Sequence, residues 1–237
     1  MKFDVSKHSF IDNAALLKAI YETLYNTYGP QSWWPADSPF EVMLGAILTQ
    51  NTAWTNVEKA MAGLRISCEL TPEGILSLSQ NLLEEAIRPS GYFRQKASRL
   101  RGFCRFLIDS YGGDLSGMAT VPTGQLRDVL LSLHGIGPET ADSILLYALD
   151  RPVFVVDAYT LRLFSRLGLC EEYAKYVDIQ ALFMENLEPD VRMFNEYHAL
   201  IVKHAKETCR KRAPECENCT LADMCAFNLK SQSSDLR

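Results

Sequence analysis

No run of about 18 apolar residues occurs in the 237-residue sequence, which excludes a conventional membrane-spanning helix. The opening MKFDVSKHSFIDN lacks the basic-then-apolar layout of a secretory leader, so the expectation is a cytoplasmic protein without membrane association. Positive charge is scarce. The 24 Lys and Arg residues are outnumbered by 29 Asp and Glu, and a net charge of −5 gives no global sign of nucleic-acid binding. The four histidines, His8, His134, His198 and His204, show no metal-ligand or nucleophile–base spacing. Seven cysteines are an odd number for a disulfide framework: Cys68, Cys104 and Cys170 stand alone, while four crowd between Cys209 and Cys225. Such crowding points to a metal or cluster site in a reducing compartment. β-Hairpin signals, βαβ alternation and tandem repeats are also missing.

What remains is helical. With 47% apolar residues the chain can bury a real core. Leu17, Ile20, Tyr21, Leu24, Tyr25 and Tyr28 share one helical face that Gly29-Pro30 ends. FEVMLGAIL (40–48) is apolar all round and predicts a buried helix, followed by another over 56–64. Thr71-Pro72 reads as an N-cap with proline in the first turn. Helices over 82–87, 94–111, 123–133, 139–149 and 157–167 continue the pattern, and only VFVV (153–156) looks extended. The class is all-α with about ten short helices, and the tail SQSSDLR is expected to fray.

Local charge departs from the total. Arg88, Arg94, Lys96, Arg99, Arg101 and Arg105 form a run without an acid, and Lys206, Arg210, Lys211 and Arg212 surround Cys209. Two basic islands on an acidic chain can serve a phosphate backbone, with Arg94, Lys96, Lys211 and Arg212 the candidate contacts; a solvated helix face is the plainer reading.

Three motifs carry chemistry. In LSLHGIGPETADSILLYA (131–148) a Gly135-Ile136-Gly137 hairpin joins two helices. Its glycines allow a tight turn that brings backbone amides and a helix N-terminus to a phosphate, with Ile136 anchored in the core and His134 beside it. Twenty residues after Gly137, Asp157 stands where the extended run becomes a helix. There it can cap the helix, and it can also stabilise a sugar cation or orient water. Finally, Cys209, Cys216, Cys219 and Cys225 place four thiolates within one short loop, which suits a cubane [4Fe–4S] cluster or, alternatively, tetrahedral zinc.

The order of glycine hairpin, VVDAYTLRL and C-x6-C-x2-C-x5-C resembles the endonuclease III branch of the helix-hairpin-helix DNA glycosylases. The resemblance implies two helical domains flanking a DNA-binding cleft. A six-helix domain with the hairpin would occupy 31–151, and a helical domain built from 1–30 and 152–237 would carry the iron–sulfur loop 209–225. It further implies that Asp157 is the catalytic aspartate, that Gln50 fills the gap left by an extruded base, and that Tyr92 enters the opposite strand unless it is a core aromatic. The hairpin would clasp a phosphate, often with a cation on its carbonyls.

Bifunctional members of that family carry a Schiff-base lysine two residues after the second glycine, where this sequence has Glu139. A carboxylate cannot form an imine, so the resemblance narrows to members that use water. SWWPADSPFEVMLGAILTQNT (32–52), RPSGYFRQKASRL (88–100) and HGIGPETADSILLYA (134–148) are similar to the endonuclease III-type 3-methyladenine DNA glycosylases. That likeness implies a base pocket of Trp33, Trp34 and Pro35, with Glu139 expected nearby; the tryptophans can instead serve as packing. Aromatic faces suit a cationic alkylated purine. The best-known proteins of this type lack the cluster cysteines that this chain has. The expectation is a monomeric, monofunctional glycosylase for damaged double-stranded DNA. The alternatives are an endonuclease III-like enzyme for oxidised or mismatched bases and a non-catalytic damage-sensing module.

Overall fold

The computed structural model describes residues 12–229. His8 and the tail SQSSDLR lie outside them. Two compact units divide the chain, one from Trp34 to Arg151 and one combining the residues up to Trp33 with those from Pro152 onward. Among the described residues there is no β-strand, and no helix is long and apolar enough to cross a membrane.

The continuous unit is assembled around α2 (Pro39–Leu48), in which every residue from Phe40 to Leu48 is buried. Ser38 starts this helix by accepting the Glu41 amide through Oγ at 3.3 Å, and Pro39 occupies the first turn, where a missing N–H costs nothing. Glu41 is tolerated inside because Arg65 donates to both its carboxylate oxygens, at 2.6 and 3.3 Å. Arg65 belongs to α3 (Trp54–Ser67). Two short helices follow, α4 (Pro72–Ser77) and α5 (Gln80–Ala86), capped by Thr71 and Ser79. Then come the long amphipathic α6 (Phe93–Tyr111) and α7 (Thr123–Ser132). Past the glycine hairpin, α8 (Pro138–Ser143) passes into a π-helical turn over Ile144–Ala148, where a single α-helix over 139–149 was expected. The Ser143 hydroxyl donates to the Glu139 carbonyl at 2.7 Å just where the winding widens, a side-chain bond that loosens helical geometry.

The cationic run 88–105 is divided: Arg88, Arg94 and Arg105 are exposed, Arg99 and Arg101 half-buried, and Lys96 internal. Lys96, expected on a phosphate-binding face, is only 1% exposed, and its ammonium donates to the Leu48 and Ser90 carbonyls at 2.8 and 2.7 Å. Arg101 donates to the Leu76 and Leu78 carbonyls, and Arg88 pairs with Glu85. Lys96 and Arg101 thus satisfy carbonyls at or beyond helix ends, the work that a short-helix fold demands. Of the candidate contacts in the run, Arg94 remains exposed, 3.8 Å from Glu84.

Burial, with the Arg99 charge nearby, lowers the Lys96 pKa to about 8. A lysine whose folded pKa lies below its unfolded value costs stability while charged, and the cost fades as pH rises through the folded pKa towards the unfolded one. The stability of wild type relative to Lys96→Met should therefore climb between about pH 8 and 10.5, by at most about 1.4 kcal/mol per pH unit. Urea unfolding across that range checks it.

The second unit packs α1 (Asn13–Tyr28), α9 (Ala158–Leu167), α10 (Tyr176–Met184) and α11 (Val191–Glu207) around Phe154, Phe164, Phe183, Phe194 and Tyr197. Phe154 and Phe183 stack at 3.6 Å. The VFVV segment joins no sheet. Side chains satisfy its backbone instead: Gln180 donates to the Phe154 carbonyl at 2.7 Å, and the Tyr176 hydroxyl accepts the Val156 amide at 3.4 Å.

Candidate functional site

In the continuous unit the hairpin is held from beneath. Gly135 has φ +80°, a left-handed conformation, and an added Cβ would collide with the Arg99 side chain, so glycine is required there twice over. Ile136 is buried and anchors the turn, whereas His134 and Gly137 are exposed. Gln50 donates to the Gly135 carbonyl at 3.0 Å and to Thr140 Oγ1 at 2.9 Å, while Arg99 donates to Gln50 Oε1. The expected gap-filling amide is therefore already engaged in clasping the hairpin. The Gly135 carbonyl at a left-handed residue falls outside any helical ladder and needs this donor. Gln50, Arg99, Thr140, Ser143 and Glu139 line a polar cavity of about 190 Å³, with Glu139 exposed in the first turn of α8.

Trp34 sits in an aromatic cluster, edge-on to Trp54 at 4.9 Å and tilted against Tyr147 at 5.2 Å. Its indole also lies 3.2 Å from where a Cβ on Gly45 would stand. Trp34, Trp54, Pro35 and Glu58 help line a cavity of about 210 Å³. Tyr92 is no core aromatic: it is 65% exposed and holds the left-handed φ of +44° at the start of α6. A bulky residue kept in that region and facing water is a strain that function commonly explains.

In the other unit, where Trp33 lies half-buried, Asp157 caps α9. Its Oδ1 accepts the Thr160 amide at 2.8 Å and the Thr160 hydroxyl at 3.0 Å, and the Asp157 amide donates to Thr160 Oγ1 at 3.4 Å, completing a capping box. Its Oδ2 lies 3.5 Å from Nε2 of His198, and its side chain keeps 13% exposure. Burial alone would raise the carboxyl pKa, but the His198 contact and the Thr160 bonds outweigh it and hold the group below the ordinary carboxylate range. Asp157 is therefore a carboxylate at neutral pH, with one oxygen assigned to the helix.

The four clustered cysteines line one cavity with Arg166, His204 and Leu221. Arg166 donates to Cys209 Sγ at 3.2 Å and to the Arg210 carbonyl at 2.8 Å, fastening the loop's start to α9. Cys219 Sγ lies 3.6 Å from His204 Nε2, whose ring also bonds the Tyr28 hydroxyl at 2.9 Å. Burial pushes the Cys219 thiol to about 11, and the three neighbouring thiols push it the same way. Burial likewise raises the Cys225 thiol, so a metal at this cavity would have to supply the positive charge that favours these two thiolates, although among the described residues no three His, Cys, Asp or Glu side chains are grouped closely enough to hold one. Beyond the cavity, Lys211 and Arg212 are exposed, while Arg210 pairs with Glu215 at 2.7 Å.

Trp54 and Tyr147 do not stand out in the sequence, and Arg99 and His198 do so only as one cation of the 88–105 run and one of four scattered histidines. The available signal for His198 is a lone imidazole on a helix face otherwise made of Phe194, Tyr197 and Ile201, a buried polar group that needs a partner.

Residues 44–189 match the family described as HhH-GPD superfamily base excision DNA repair protein. A Methanocaldococcus jannaschii protein, provisionally described as a DNA repair glycosylase, is 49% identical over 211 residues, covering 89% of this chain and 96% of its own. Endonuclease III of Sulfolobus acidocaldarius is 30% identical over 191 residues, 80% of this chain and 82% of its own. Among solved structures, a non-covalent endonuclease III–DNA complex has a TM-score of 0.80 at 23% identity, covering 93% of this chain and 98% of its own. A Helicobacter pylori 3-methyladenine DNA glycosylase bound to 1,N6-ethenoadenine has a TM-score of 0.71 at 29% identity, covering 83% and 98%.

Proposed function

Since the chain belongs to the HhH-GPD superfamily of base excision DNA repair proteins, we propose that it is a monofunctional DNA glycosylase that removes alkylated purines, with 3-methyladenine the first candidate. The observation that carries the reading is Glu139. It stands in the first turn of α8, beside the polar cavity of Gln50 and Arg99, two residues after Gly137, where the resemblance implies a lysine in bifunctional members. Without that amine the sugar has no imine partner, and water takes its place.

The aromatic cluster of Trp34, Trp54 and Tyr147 favours a positively charged base, because ring faces attract it; on the cavity beside Trp34 and Trp54 the exposed Glu58 adds to that attraction, while the Arg65 charge there is paired with Glu41. An N3- or N7-alkylated purine brings such a charge and departs neutral when its glycosidic bond breaks, so it needs little acid assistance. The sugar left behind is an oxocarbenium-like cation. Asp157, ionised and partly exposed, stabilises that cation and orients the water that adds at C1′, whose extra proton passes to solvent. Tyr92, Arg94, Lys211 and Arg212, all exposed, are the proposed strand and phosphate contacts on double-stranded DNA. The enzyme acts as a cytoplasmic monomer in this reading. Cys209, Cys216, Cys219 and Cys225 hold a [4Fe–4S] cluster that ties the 209–225 loop in place.

Base release from duplexes carrying 3-methyladenine, hypoxanthine, thymine glycol or uracil tests the substrate class. Release of 3-methyladenine at a rate at least tenfold above the others is the expected result. Preferential release of thymine glycol would move the enzyme to the oxidised-base class, and release of nothing would favour a damage-sensing module.

A further inference from the structure

We infer that His198 is a positioning residue for Asp157, dividing the carboxylate so that Oδ1 caps α9 and Oδ2 faces the reacting sugar. This rests on the reading of Asp157 as the group that stabilises the sugar cation. Two demands fall on one side chain. The cap consumes Oδ1 through the amide and hydroxyl of Thr160, at 2.8 and 3.0 Å. Oδ2 takes no part in the cap, and a carboxylate held at one oxygen can still swing the other about its Cβ–Cγ bond. His198 Nε2, 3.5 Å from Oδ2, is placed to stop that rotation.

The imidazole is itself fixed. His198 is 6% exposed on the face of α11 that carries the buried Phe194, Tyr197 and Ile201, and α11 packs directly on α9. A buried imidazole costs free energy unless a polar partner meets it, and an ionised carboxylate is the acceptor that best rewards an N–H donor. From α11, His198 is the titratable group acting on the Asp157 carboxyl; the remaining partners, the amide and hydroxyl of Thr160 on α9, are neutral. The same contact that orients Oδ2 thus favours its ionised form, the form able to stabilise a cation.

Single-turnover base release against pH tests this in the full-length protein. His198→Leu should slow release at least tenfold at neutral pH and move the acid limb of the profile to higher pH, because Asp157 loses the partner that favours its charge. Binding to DNA carrying a non-hydrolysable abasic-site analogue should not change. His198→Gln, whose amide can donate from near the Nε2 position, should recover most of the rate and restore the limb. His198→Asn is too short to reach Oδ2 and should lose as much as leucine does, so the result does not depend on how the leucine variant folds. A leucine variant with the wild-type rate and an unmoved acid limb, or a glutamine variant as slow as leucine, overturns the positioning role. If Asp157→Asn abolishes release while His198→Leu leaves it intact, the positioning inference fails and the reaction stands. Release untouched by Asp157→Asn would instead remove the reading on which the inference rests.

Discussion

Asp157→Asn is expected to slow base release by about a hundredfold or more, while the protein stays folded and binds DNA as tightly as before. The asymmetry follows from the two duties of the residue. Asparagine caps helices about as well as aspartate, and its carbonyl oxygen can accept the Thr160 amide as Oδ1 does. What it cannot supply is negative charge opposite a developing sugar cation. Burial disfavours that charge, yet the contacts with His198 and Thr160 keep the carboxyl ionised, so the protein sustains a charge that a neutral cap would not require. Single-turnover kinetics with thermal unfolding on the same samples separate the two roles. Loss of rate without loss of melting temperature is expected; equal rates would leave Asp157 as a cap alone.

The second large effect concerns the cysteine loop. Purified protein should contain iron and acid-labile sulfide in equal amounts, and Cys219→Ala should lose both. The 209–225 segment is tied at its start by Arg162 and Arg166 but has little regular structure or apolar burial of its own. Its regular structure is two three-residue 3-10 turns, Cys216–Asn218 and Ala222–Met224, and its buried side chains are essentially Cys209, Leu221 and Cys225. A metal centre bonded to four points would contribute directly to folding this loop, so its loss should open the segment to protease and markedly lower the melting temperature. Cys68→Ser, at a cysteine outside the cluster, should leave metal content unchanged. Stoichiometric zinc without iron after anaerobic purification would overturn the iron–sulfur assignment.

Much of the helical framework was legible because its boundaries are written in local chemistry. Ser38-Pro39, Thr71-Pro72 and Gly29 each start or stop a helix by a mechanism that needs only adjacent residues. The hairpin was legible for the same reason, since Gly135 adopts the left-handed φ that its residue type permits. Features that depend on remote partners were not. The cationic run 88–105 looks like a phosphate face, and nothing in its spacing shows that the Lys96 ammonium ends on the Leu48 carbonyl, 48 positions away. VFVV has the composition of a strand, but the side chains of Tyr176 and Gln180 take up its backbone groups. Gln50 carries an amide able to fill a gap in DNA, and the fold engages it at Gly135. His198 acquires meaning only when α11 packs on α9 and brings it to Asp157. Local rules reach caps and turns; the partners of long polar side chains are settled by packing.

Borohydride trapping during base release tests the central claim most directly, because Glu139 in the place of an amine decides between water and an imine. A duplex carrying a single 3-methyladenine should yield free base, an intact abasic site and no protein–DNA adduct after reduction. A trapped adduct, or a strand cleaved at the abasic site by the enzyme itself, would show that an amine such as Lys203 or Lys206 attacks the sugar, and would contradict hydrolysis by water.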